Sequence, residues 1–177
     1  MPARAGVART RSCMRKLRLL VLFGWLAGSL TALLAQASFA QSPTAQAFLQ
    51  GVYAPYQKSD KALDIGSEQK AARYFVGPVA KLIGQDIATS AARNEVGKLD
   101  FDPFIGGQDW SPTRIQLKVV PGAAPDRATG TARFTPPGEK KPTTVTLDLS
   151  KTAAGWRIAD IHWAGQPDSL VAILTKE

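Results

Sequence analysis

From Arg114 onward the residues alternate between apolar and polar with a period of two, in four separate runs. Ile115, Leu117 and Val119 alternate with Arg114, Gln116 and Lys118, and Ala128, Gly130, Ala132 and Phe134 with Arg127, Thr129, Thr131 and Arg133. Val145, Leu147 and Leu149 alternate with Thr144, Thr146 and Asp148, and a last run extends from about Gly155 to Trp163. Successive side chains of a strand point to opposite faces, so each run predicts a strand with one wet face. The segments Pro121 to Asp126 and Pro136-Pro137-Gly138-Glu139 read as short turns. Four consecutive strands joined this way describe an antiparallel meander, because a parallel sheet needs long crossovers.

Such a sheet needs a cover for its apolar face, and the preceding residues supply one. Ala45, Phe48, Leu49, Val52 and Tyr56 recur at helical spacing after Pro43-Thr44 and stop near Pro55. Ser67 is placed to cap a second helix with Ala71, Tyr74 and Phe75 on one stripe. Pro78 suits the first position of a third helix, whose face carries Val79, Leu82, Ile83, Ile87 and Ala91. Pro167 to Leu174 predicts a short closing helix. The expected fold class is α+β: N-terminal helices packed on an antiparallel four-stranded sheet, as one domain over residues 41–177. There is no repeat or low-complexity tract to argue for a second domain.

Residues 1–40 read differently. Arg4, Arg9, Arg11, Arg15, Lys16 and Arg18 precede an apolar run from Leu19 to Ala35, and no acid occurs before Asp60. Ala35-Gln36-Ala37 and Ser38-Phe39-Ala40 are small-x-small sites that a signal peptidase accepts, so the segment reads as a secretory signal peptide. Met14 offers a second start just upstream of that run. An uncleaved anchor is the rival, but seventeen residues broken by Gly24 and Gly28 fall short of a span of about twenty. Cys13 precedes the apolar run, the wrong side for lipidation.

Cleavage would change the charge. The whole chain has 22 basic and 14 acidic residues, and six of the basic ones lie in the leader, leaving 16 against 14. The basicity therefore belongs to the address, and nucleic acid is not an expected partner, since that needs cations clustered on the folded face. The membrane enters only through the leader during export. Removing Cys13 also leaves a body without thiols, suited to a periplasmic or secreted location.

The densest polar segment runs from Leu99 to Trp110, with Asp100, Asp102 and Asp109 among Phe101, Phe104 and Trp110, and with Gly106-Gly107. Asp100 and Asp102 alternate, so in an extended stretch they share a side and form a candidate acid–base pair. The same loop, with Tyr53 and Tyr56, supplies the candidate ligand-binding residues Asp100, Asp102, Asp109 and Trp110. The competing reading is structural: Asp side chains bond backbone amides in turns, and Trp110 anchors the loop. The same oxygens could hold Ca²⁺, which takes several oxygen ligands from a flexible loop, although the acidic spacing and closing Glu of an EF-hand are missing. In the last run, Asp160 could orient His162 for proton transfer, provided that a β-bulge does not turn the pair into solvent. Ile161 and Trp163 make the face ambiguous, because they are as apolar as Trp156 and Ile158. The Gly-x-Ser-x-Gly elbow and the phosphate-binding loop are both missing, Lys140-Lys141 reads as a solvated turn tip, and no cofactor or metal is expected. Tyr53, Tyr56 and Tyr74 read as core residues with their hydroxyls at the rim.

Three segments carry a resemblance: Phe48-Leu49-x-x-Val52-Tyr53-x-x-Tyr56, Asp100-Phe101-Asp102-Pro103-Phe104 leading to Gln108-Asp109-Trp110, and Gly155-Trp156-Arg157-Ile158-Ala159-Asp160-Ile161. Over roughly Ser42 to Leu174 the chain resembles the DUF3828 group of exported bacterial proteins, within the NTF2-like (SnoaL/ketosteroid-isomerase-like) superfamily. The resemblance implies a cone of curved antiparallel sheet and packed helices, often enclosing a pocket. It implies no activity, since that superfamily spans enzymes, binders and scaffolds. The expected function is non-enzymatic binding of a small ligand, peptide or envelope partner. The alternatives are an isomerase or lyase using pocket carboxylates, and a structural module that dimerises through an exposed apolar sheet face.

Overall fold

The computed structural model describes residues 44–111 and 113–176; the leader, Cys13, Met14 and both cleavage sites lie outside the described residues. Four strands form one antiparallel sheet in sequence order: β1 (Gln116–Pro121), β2 (Arg127–Phe134), β3 (Thr143–Thr152) and β4 (Gly155–Trp163). Among the described residues four α-helices accompany them: α1 (Ala45–Tyr53), α2 (Glu68–Ala71), α3 (Gly77–Arg93) and α4 (Leu170–Thr175). The class is α+β, and the sheet is the expected meander.

The helix ends follow their caps. Thr44 Oγ1 accepts from the Ala47 amide at 3.1 Å, Ser67 Oγ from Lys70 at 3.3 Å and Ser169 Oγ from Ala172 at 3.2 Å. Each satisfies an amide that the first turn leaves without a partner. Asn94 closes α3 in the left-handed conformation, at φ 53°. Pro55 ends α1 and opens a 3₁₀ turn, Pro55–Gln57, which carries Tyr56 inward.

The second helix is shorter than its apolar stripe suggests. It stops at Ala71 because residues 74–76 are drawn to the edge of β4. There the Val76 amide donates to the Ile158 carbonyl at 2.9 Å, and the Ile158 amide to the Tyr74 carbonyl at 2.8 Å. A free sheet edge offers such unpaired groups, and here a short segment takes them.

Register explains which residues are buried. Gly130 faces Leu147, Ala132 faces Val145 and Leu147 faces Ile161, placing β2, β3 and β4 side chains on one covered face. Small residues on β2 leave room for α1, and a Cβ on Gly130 would come within 3.1 Å of Leu49 Cδ2. On β4 the alternation slips: Leu149 pairs with Ile158 but Asp148 with Asp160, so Ala159 is an extra bulged residue. The slip lets Ile158, Ile161 and Trp163 all point into the core. The other sheet face carries Gln116, Lys118, Thr129, Thr131, Thr144, Thr146 and Asp148, so it offers no broad apolar patch for dimerisation. Among the described residues the exposed large apolar side chains are Val96 and Val120, which are isolated.

Candidate functional site

The loop from Leu99 to Trp110 is built around Asp102. Its Oδ1 accepts from the Phe104 amide at 2.8 Å, its carbonyl accepts from Gly106 at 2.9 Å, and its own amide donates to the Gly107 carbonyl at 3.0 Å. That turn pushes Phe104 into the core, where its ring meets Tyr56, Tyr74 and Phe75 at centroid distances of 6.1, 5.7 and 5.6 Å. Trp110 follows it in, donating Nε1 to the Tyr56 carbonyl at 2.7 Å and packing edge-on against Phe134 at 5.0 Å. Trp163 of β4 donates Nε1 to the Pro103 carbonyl at 2.8 Å. Gly106, at φ +68°, lies against that indole: a Cβ would sit 2.7 Å from Trp163 Cδ1.

Two tyrosines lock the loop from the other side. Tyr56 donates its hydroxyl to Asp102 Oδ2 at 2.6 Å and accepts from the Leu63 amide at 3.2 Å. Tyr53 donates to the Phe104 carbonyl at 2.8 Å. Both hydroxyls are therefore inside, not at the rim. Burial first, and then the charge of Asp102, push both phenols well above their ordinary value, so the shared proton stays on Tyr56. Burial also raises the Asp102 carboxyl, against the opposing pull of the Tyr56 and Phe104 donors.

Above this locked loop lies a cleft of about 420 Å³. Its walls come from three places: Leu63 and Ile65 of the extended segment after the 3₁₀ turn, Ile83 and Ile87 of α3, and Leu99 and Phe101 of the loop. Asp86, Asp100, Asp102 and Gln108 supply its polar lining. Asp86 joins two walls, because its carboxylate accepts from the amides of Lys98 at 2.9 Å and Leu99 at 3.1 Å. A cleft of this size, mostly apolar with a few converging polar groups, is of the kind that takes a small molecule.

The candidate residues divide accordingly. Asp100 and Asp102 both line the cleft, but they are not equivalent. Asp100 is exposed, while Asp102 is turned in and bound at both oxygens. Tyr53, Tyr56 and Trp110 are core residues that hold the cleft floor without lining it, and Asp109 is exposed outside it.

Asp160 and His162 do not join them. The Ala159 bulge turns both to the uncovered sheet face, with His162 48% and Asp160 21% exposed at their side chains. His162 Nε2 lies 4.0 Å from Asp160 Oδ2 but 3.0 Å from Asp148 Oδ2 on β3. Asp160 is committed elsewhere, since its Oδ1 accepts from the Val171 amide at 3.0 Å and holds the start of α4. Sequence reasoning missed Asp148, Asp86 and the Leu63–Ile65 wall. Of these, only the helical spacing of Ile83, Asp86 and Ile87 carried a signal.

Among the described residues no three His, Cys, Asp or Glu side chains are grouped to hold a metal ion, and no helix is long and apolar enough to cross a membrane. Compared with known proteins, no family model matches the chain, and no curated protein or solved structure matches it.

Proposed function

We propose that this chain is an exported, non-enzymatic binding domain of the NTF2-like kind, and that a small ligand or short peptide segment occupies the cleft between α3 and the 99–108 loop. The leader-like first forty residues support delivery to the periplasm or the exterior. The order of helices followed by a four-stranded meander supports the cone architecture.

One observation carries the binding reading. The cleft has apolar walls, while the carboxylates reaching it from Asp86 and Asp102 are tied to backbone amides and to Tyr56. A general acid or base must be within reach of substrate and free to exchange its proton. These two groups are instead spent on holding the walls in place; the third, Asp100, is exposed and stands without a second free acid or base, an arrangement that suits binding better than turnover.

The test is a ligand-observed NMR screen of envelope metabolites and short peptides, using the protein as the producing cell processes it. Expected binders lose affinity at least tenfold when Ile87→Trp fills the cleft and keep it when His162→Ala alters the far sheet face. Binders insensitive to Ile87→Trp would place the site elsewhere and end this reading.

A further inference from the structure

The polarity of the cleft specifies its occupant. No lysine, arginine, histidine, serine or threonine lines it; the polar side chains that do are Asp86, Asp100, Asp102 and Gln108. Gln108 uses one N–H of Nε2 on the Asp100 carbonyl at 3.1 Å, and offers its side-chain oxygen and a second N–H. With three carboxylates against one remaining amide N–H, the polar side chains of the cleft are mostly acceptors, which suits a ligand that brings donors.

Two nearby cations are engaged elsewhere, and Lys61, beside the lining residue Ala62, is exposed and does not line the cleft. Lys98, next in sequence to Leu99, extends its ammonium to the carbonyls of Leu174 and Lys176 at the end of α4. Lys70 is paired with Asp64 at 2.7 Å. Asp100 is different again: its carboxylate makes no hydrogen bond or ion pair among the described residues, yet it stands at the cleft. An apolar hollow walled by acids, with one carboxylate uncommitted, is complementary to a positively charged donor on an apolar body.

Resting on the binding reading above, we infer that the cleft takes a small organic ammonium ion, with its hydrocarbon part against Ile83, Ile87 and Phe101 and its ammonium at Asp100. The walls contribute affinity through apolar burial, and the carboxylate selects the charge.

Three probes on one skeleton separate these contributions: 4-phenylbutylamine, 4-phenylbutanol and 4-phenylbutanoate, titrated against the full processed protein by calorimetry at pH 7 and low salt. The amine is expected to bind at least tenfold tighter than the alcohol, with the carboxylate weakest. Asp100→Asn should bring the amine to within about threefold of the alcohol and leave the urea-unfolding midpoint unchanged, since the Asp100 side chain makes no hydrogen bond or ion pair among the described residues. Phenylalanyl-glycinamide, run alongside, distinguishes a peptide amino terminus from a free amine; whichever cation binds tighter names the source, and either supports the assignment. Equal binding of amine and alcohol overturns the ammonium inference and leaves the binding cleft standing. No binding by any probe overturns both, and so does binding that survives Ile87→Trp. An amine preference that survives Asp100→Asn overturns the role of Asp100.

Discussion

Replacing Tyr56 with Phe removes a single oxygen and should reveal what holds the loop. The ring would keep its place, since its edge-on contact with Trp110 at 5.8 Å and its tilted contact with Phe104 at 6.1 Å need no hydroxyl. Two hydrogen bonds would go: the 2.6 Å donation to Asp102 and the 3.2 Å acceptance from the Leu63 amide. A hydrogen bond to a charged acceptor contributes about 1.5–3 kcal/mol, and a neutral one about 0.5–1.5 kcal/mol. The expected loss is therefore about 2–4 kcal/mol, or roughly 6–15 °C in Tm for a domain of this size. Tyr53→Phe loses one neutral bond, to the Phe104 carbonyl, and should cost about 1 kcal/mol. Urea unfolding of both variants, and of the Tyr56→Phe/Asp102→Asn pair, tests the argument. In the double-mutant cycle Tyr56 and Asp102 should couple by about 1–3 kcal/mol. A Tyr56→Phe cost below about 0.5 kcal/mol, or additive behaviour with Asp102→Asn, would refute the claim that this pair secures the loop.

Two further outcomes follow from the same region. Gly106→Ala forces a side chain into the left-handed region and into Trp163, so it should cost about 2–4 kcal/mol and shift the tryptophan fluorescence; Gly107→Ala, with nothing within 4 Å of its Cβ, should change stability by less than about 0.5 kcal/mol. In alkali, the unfolded chain ionises its tyrosines near pH 10 while the folded one keeps Tyr53 and Tyr56 protonated, so their stabilising effect is complete below that pH and is lost as pH rises. Stability should fall by about 1.4 kcal/mol per pH unit for each of the two above pH 10, and Tyr53→Phe should remove half of that slope in a urea titration series.

The sheet was legible because alternation is a strong signal wherever one face is wet, and β1 to β3 begin within two residues of where the pattern puts them. On β4 the pattern has no contrast. Trp156, Ile158, Ile161 and Trp163 are apolar in both phases, so only the pairing with β3 reveals the bulge at Ala159 that turns Asp160 and His162 outward. Asp148 becomes the near partner of His162 through the same register, which sequence spacing does not contain. The length of α2 was illegible for a related reason: Ala71, Tyr74 and Phe75 have helical spacing, but the strand-favouring Tyr74, Phe75 and Val76 pair their backbone with the β4 edge. Composition did single out the Leu99–Trp110 loop. It could not separate Asp100 from Asp102, because the difference lies in a turn that returns the Asp102 side chain to the Phe104 amide.

That turn also bears on how binding and stability are linked. The loop anchors the core through Phe104 and Trp110 on its inner side and walls the cleft through Leu99, Phe101 and Asp102 on its outer side. Asp86 extends the link to α3, because its acceptance from Lys98 and Leu99 fixes where the loop begins. A loop fixed at both ends and in the middle presents its outer wall with little left to order, so a ligand loses less free energy on entering than it would at a mobile loop. Half-buried Asp102 is accordingly better understood as a brace than as an acid: its raised carboxyl reflects the cost of partial burial, and Tyr56 and the Phe104 amide are the donors that offset it. On the proposed binding reading, selectivity falls to the one cleft carboxylate without a hydrogen bond or ion pair among the described residues, Asp100.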